Sequence, residues 1–164
     1  MQTVRLLFST TGNPFSALIR AATWSRWSHV SLIDEGDMVI EAAALHGVRR
    51  VPFVDAINRA ADAALVELPS PDAAAVIAAA ASQIGKPYDY TAILGLGLRR
   101  DWQQDDAWFC SELVAWAFDA AGHPLFRPDS LRRVTPQHLW MLAPSPPGEQ
   151  PATETLPIGR LARP

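Results

Sequence analysis

The run HVSLIDEGDMVIEA at positions 29–42 constrains the fold of this chain more than any other stretch. Two β-favouring segments, His29–Ile33 and Met38–Ala42, flank the turn formers Asp34-Glu35-Gly36-Asp37, and that pattern predicts an antiparallel hairpin. Other strand signals surround it. Thr3–Phe8 is a short β-rich run that stops at Ser-Thr-Thr-Gly. Gly47–Phe53 and Ala64–Leu68 read as further strands, with a short helix over Val54–Ala60 between them.

The remaining segments read as helices. Asn13-Pro14 offers an N-cap followed by proline at the first helical position, which predicts a helix to about Thr23. Pro69-Ser70-Pro71-Asp72 ends a strand, and an alanine-rich helix follows to about Ile84, with Val76, Ile77, Ala80 and Ile84 on one face. Tyr90–Leu98 reads as a short helix and Asp101–Asp106 as a polar loop. Cys110–Ala121 is a strong helix closed by Gly122, and Thr135-Pro136 opens a last short helix to about Leu142. The expected class is α+β, a small antiparallel sheet packed against helices. Residues 1–143 form a single domain and the proline-rich 144–164 a tail.

Charge and cysteine usage exclude several function classes. A net charge of −3 over 164 residues argues against a duplex nucleic acid partner. The arginine pairs Arg49–Arg50, Arg99–Arg100 and Arg132–Arg133 read as solvated rather than as an anion site. The longest apolar run, Ala73 to Ala81, is too short for a membrane span. The N-terminus lacks a signal-peptide pattern, and the one cysteine cannot form an internal disulfide. These features predict a cytoplasmic protein without integral membrane association. No metal-ligand spacing, dinucleotide fingerprint or phosphate loop occurs, so no metal or cofactor is expected.

That one cysteine, Cys110, shares the apolar face of its helix with Leu113, Val114, Ala117 and Ala121. A free cysteine usually packs like a small hydrophobe. At a helix start, however, the dipole and unpaired N–H groups favour a thiolate. Of the four histidines, His29, His46, His123 and His138, only His29 falls on a predicted apolar strand. Glu41 lies on the returning strand of the same hairpin, where pairing brings it to the same face. A carboxylate on one imidazole nitrogen fixes the tautomer and leaves the other nitrogen for a thiol. The candidate catalytic set is therefore Cys110 as nucleophile, His29 as base and Glu41 as the orienting group.

The order of these residues, in the stretches WSHVSLI, MVIEAA, GKPYDY and WFCSELVAWAFDAAG, resembles the permuted branch of the NlpC-type papain-fold cysteine hydrolases. That branch is related to the lecithin–retinol acyltransferase group. In the usual papain order the cysteine comes first, whereas here it comes last. The resemblance runs from about Val4 to Leu142 and implies a circularly permuted papain-like fold. The acyltransferases carry a second histidine where this chain has Glu41, and an Asn-Cys-Glu-His motif where Cys110 is followed by Ser-Glu-Leu. Both departures favour the bacterial hydrolase-like members.

The implied activity is a cysteine peptidase or amidase acting on a small peptide or amide through a thioester. Tyr88, Trp27 and Trp108 are expected to wall the substrate cleft, with Trp24 and Trp102 near them in sequence. The backbone N–H of Cys110 is the expected oxyanion donor. Two other classes fit the same residues. One is an acyltransferase or thioesterase on lipid-like acyl groups, separated by comparing amide and ester substrates. The other is an inactive binding module of the same fold, separated by the reactivity of the thiol.

Overall fold

A computed structural model describes residues 2–89 and 107–144. In chain order these form β1 (Gln2–Thr10), α1 (Pro14–Thr23), β2 (His29–Asp34), β3 (Met38–Ala43), β4 (Gly47–Pro52), α2 (Phe53–Asn58), β5 (Asp62–Ser70) and α3 (Ala73–Ala81). After the undescribed stretch come α4 (Cys110–Ala120), a 3₁₀ turn (Pro128–Arg133) and α5 (Pro136–Met141). The predicted Tyr90–Leu98 helix, the Asp101–Asp106 loop, Trp102 and nearly all of the proline-rich tail lie outside the described residues.

The strands build a five-stranded sheet in the order β4-β3-β2-β1-β5. Every pairing is antiparallel. The hairpin of β2 and β3 stands at its centre, with Leu32 opposite Ile40 and Asp34 opposite Met38. Its turn closes through Gly36 and Asp37, both at positive φ, where glycine and aspartate are tolerated.

Side chains alternate between the two faces of a strand, and this sheet covers its faces differently. Val4, Leu6, Phe8, Val30, Leu32, Ile40, Ala42, Val48 and Leu68 join the main core with Val76 and Ala80 of α3 and Leu113, Val114 and Phe118 of α4. On the opposite face Leu7, Ile33 and Val39 pack under Ala56 of α2. The rest of that second face carries polar residues, Ser9, His29, Ser31 and Glu41 among them, and these line a cleft.

Local chemistry sets the helix ends. Asn13 caps α1 by accepting the Ser16 N–H at 2.7 Å, and Asp72 caps α3 by accepting the Ala75 N–H at 2.9 Å. The α3 helix ends at Ala81, short of the expected Ile84, because the chain passes there into successive turns. Their carbonyls and N–H groups are used by β4: Val48 N–H donates to Lys86 O and Gly85 N–H to Val48 O, each at 2.8 Å. β5 extends well beyond the expected 64–68, because all of it pairs with β1, from Asp62 opposite Thr10 to Ser70 opposite Gln2.

The contact between β4 and that turn admits no side chain at position 47. Gly47 has φ +70°, and a Cβ there would collide with the Lys86 carbonyl oxygen. Gly47→Ala is therefore expected to cost about 2 kcal/mol or more, since strain and a backbone collision act together. Gly12 has nothing within 4 Å of a built Cβ, so Gly12→Ala is expected to leave the midpoint nearly unchanged. Thermal unfolding of both variants checks this; equal midpoints would mean that the turn simply moves aside.

Candidate active site

Three elements bring the candidate residues together. The ladder between β1 and β2 places His29 opposite Ser9 at the start of β2. Glu41 lies on the neighbouring strand, on the same face but diagonal to His29, because the register that pairs Leu32 with Ile40 sets Glu41 opposite Ser31. Cys110 is the first residue of α4, which packs across β2 and β3. Phe109 occupies the N-cap position without a side-chain cap bond. The first turn of α4 thus offers backbone N–H groups beside the thiol.

The His29 ring touches both partners. Its Nε2 donates to Glu41 Oε2 at 3.1 Å, and the Cys110 thiol lies near enough to act on the ring's protonation. The His29 side chain is 23% exposed, whereas that of Glu41 is 4% exposed. Cys110 is buried and free of any disulfide.

Two arginines complete the surroundings of Glu41. Arg49, directly opposite it on β4, donates to Oε1 through Nε at 3.0 Å and Nη2 at 2.8 Å. Arg59, just after α2, donates to the same oxygen through Nη2 at 2.9 Å. One carboxylate oxygen therefore faces two guanidinium groups and the other faces the imidazole. An unpaired buried carboxylate would be costly, and this arrangement leaves none of its charge uncompensated.

Protonation follows from these contacts. Burial alone would raise the Glu41 carboxyl, but the bond to His29 and the charges of His29, Arg59 and Arg49 outweigh it and hold the group down at about 2. Burial alone would lower His29; the bonds to Cys110 and then Glu41 override it and push the imidazole up to about 10. The site favours an imidazolium over an anionic Glu41 across the neutral range.

The expected cleft residues divide. Tyr88 is 7% exposed, packs tilted against Phe109 with ring centres 6.1 Å apart, and lines the cleft. Trp27 does not. It is 1% exposed, and its ring lies 5.2 Å from Trp140 and 6.2 Å from Phe8. Apolar packing under α5 thus takes it into the core rather than to the cleft rim. Trp108 packs on Trp116 at 5.0 Å and donates from Nε1 to Gln83 Oε1 at 3.2 Å. It is not among the lining residues. The solvated reading of Arg49–Arg50 fails for Arg49, which holds Glu41; Arg50 stays exposed and pairs with Asp34 at 2.7 Å. His138 is a helix cap, accepting the Thr135 N–H on Nδ1 at 3.1 Å. Among the described residues, no group of three His, Cys, Asp or Glu side chains is arranged to hold a metal ion.

Comparison with known proteins adds the following. A family model described as "Permuted papain-like amidase enzyme, YaeF/YiiX, C92 family" matches residues 2–148. Among solved structures, the chain is similar to that of metalloprotein yiiX from Escherichia coli O157:H7, with a TM-score of 0.64 at 22% identity. The alignment covers 87% of this chain and 93% of that one. At that identity the likeness is one of fold. No curated protein matches the chain.

The two displaced titrations predict opposite pH limits. Because the folded pKa of Glu41 is lowered from 4.5 to about 2, its contribution to stability is present above 4.5 and lost as the pH falls through about 2. Because that of His29 is raised from 6.5 to about 10, its contribution is complete below 6.5 and lost as the pH rises through about 10. Cys110→Ala deletes the larger of the two contacts that raise His29. Its imidazole midpoint, followed by NMR, is expected to fall clearly in that variant. An unmoved midpoint would assign the whole effect to Glu41.

Proposed function

The chain belongs to the permuted papain-like amidase family, and on that premise we propose that it is a cysteine peptidase or amidase with Cys110, His29 and Glu41 as its catalytic set. The observation that supports the reading is the imidazole of His29, held at 3.1 Å by the ionised Glu41 carboxylate with the Cys110 thiol as its other neighbour. A histidine kept only for packing has no need of both partners. The fixed Glu41 orients the ring and stabilises its positive charge without taking its proton.

In this mechanism the Cys110 thiolate attacks the amide carbonyl carbon, and the oxyanion that forms is met by the Cys110 N–H at the start of α4. The imidazolium gives its proton to the leaving nitrogen, the C–N bond breaks and a thioester remains. A water then attacks the thioester carbonyl while His29 takes its proton. The C–S bond breaks, the carboxylic acid leaves, and the thiolate–imidazolium pair is restored. The substrate is a small amide or peptide, and Tyr88 supplies part of the cleft wall. The free thiol suits a reducing, cytoplasmic setting. Residues 1–143 are the catalytic unit in this reading, so truncation after Ala143 is expected to leave activity and thermal midpoint nearly unchanged.

Cys110→Ala is expected to abolish amide hydrolysis, by at least about a thousandfold, because no other group takes the place of the nucleophile. Glu41→Gln keeps the shape but not the charge, and is expected to lower kcat by about tenfold to a hundredfold. Glu35→Gln, in the solvated hairpin turn, is expected to change nothing. Product analysis on paired amide and ester substrates checks the class. Turnover of acyl esters alone, with transfer to a second lipid, would replace the amidase reading by an acyltransferase.

A further inference from the structure

The clamp on Glu41 holds more positive charge than it neutralises. The cleft has a volume of about 310 Å³, in the size range of a small-molecule site. Its charged lining residues and histidines are His29, Glu41, His46, Arg49 and Arg59. Glu41 is the only carboxylate among them and faces two guanidinium groups. The imidazolium of His29 adds further positive charge.

Donor capacity exceeds demand in the same way. A guanidinium has five N–H donors. Arg59 uses one on Glu41 and Arg49 uses two. Neither makes another side-chain bond among the described residues. Their side chains are 43% and 26% exposed, so the unused donors are open to a ligand in the cleft. The planar fork of a guanidinium matches a carboxylate bidentately, and a carboxylate is the anion an acyl chain most simply carries. The Ser9, Ser31 and Thr11 side chains line the same cleft, and the Thr11 hydroxyl is buried without a partner. Leu7, Ala56 and Ile19 give it an apolar wall.

Resting on the amidase reading above, we propose that the substrate is an amide whose acyl chain carries a carboxylate, which Arg59 and Arg49 bind. The contacts run in series from Cys110 to His29, to Glu41 and to the arginines. The arginines hold the Glu41 oxygen that the imidazole does not, so a spacer separates the amide from the acid group of such a substrate. Arg59 then has two duties: it fixes Glu41, and it selects charged over uncharged acyl groups.

A series of linear ω-amido carboxylic acids of increasing chain length, paired with uncharged alkanamides of equal length, tests this. Cys110→Ser protein measures binding by calorimetry without turnover. It is expected to prefer the charged member of one pair by about tenfold, the scale of one hydrogen bond to a charged group. Added salt is expected to shrink that preference. In the Cys110→Ser, Arg59→Gln double variant the preference is expected to disappear, and Arg59→Lys is expected to restore part of it. In the active protein, Arg59→Gln lowers turnover of both members through Glu41, but the ratio of their kcat/KM values is expected to fall by the same tenfold. Equal affinity for charged and uncharged members, or an unchanged ratio in Arg59→Gln, would overturn the proposal and leave Arg59 with its structural duty alone. Absence of any amide turnover beside an intact binding preference would sink the hydrolase reading and leave the anion site standing.

Discussion

The buried carboxylate of Glu41 is the constraint on which the rest of the site depends. At 3% exposure it cannot be solvated, so the fold must bring partners to it. Arg49 comes from the next strand, Arg59 from the end of α2, and His29 from the strand on the other side. One side chain thereby ties the edge strand, the covering helix and the centre of the sheet to a single point. Removing the carboxylate itself would leave two guanidinium groups and the imidazole facing one another without their shared counter-charge.

The same parity that buries Glu41 separates packing from chemistry. Even-numbered residues of β1, β2 and β3 build the main core, and odd-numbered ones, from Ser9 through His29 to Glu41, line the cleft. A one-residue slip would exchange the two sets, so the dense packing of Leu6, Leu32 and Ile40 under α4 also fixes the polar face. Because α4 rests on that packed face, its first residue is carried to the His29 end of the sheet. In a permuted papain-like chain the thiol arrives last in sequence, and it meets a histidine already oriented by the sheet.

Much of this was legible in the residues. Asn13-Pro14 marks the start of α1, and the Asp34–Asp37 turn sets the hairpin. The juxtaposition of His29 and Glu41 follows from hairpin register alone, since both residues belong to one local motif. The arginine clamp was missed because Arg49 and Arg50 look alike in a charged dipeptide. Only the pairing of Glu41 with Arg49 shows that one turns to the buried carboxylate, while the other reaches Asp34. That alternation was the available signal: Arg49 shares the face of Gly47 and Val51, and the ladder sets it beside Glu41 on that same face. Arg59 carried no such signal, because its place depends on how α2 folds over the sheet. Trp27 was misplaced for a related reason: a tryptophan beside a candidate histidine suits a cleft rim and a core equally, and here Trp140 of α5 and Phe8 decide for the core.

The central claim is that Cys110 is a nucleophile with the His29 ring as its partner, and alkylation of Cys110 in the folded protein tests it most directly. Iodoacetamide labelling of the folded protein, followed by intact mass, measures that rate. The prediction is that Cys110 labels in the folded protein at neutral pH, and that His29→Ala or Glu41→Gln slows this clearly whereas Glu35→Gln does not. Labelling only after unfolding, or at a rate that none of these substitutions changes, would contradict it and reduce Cys110 to a packed residue of the core.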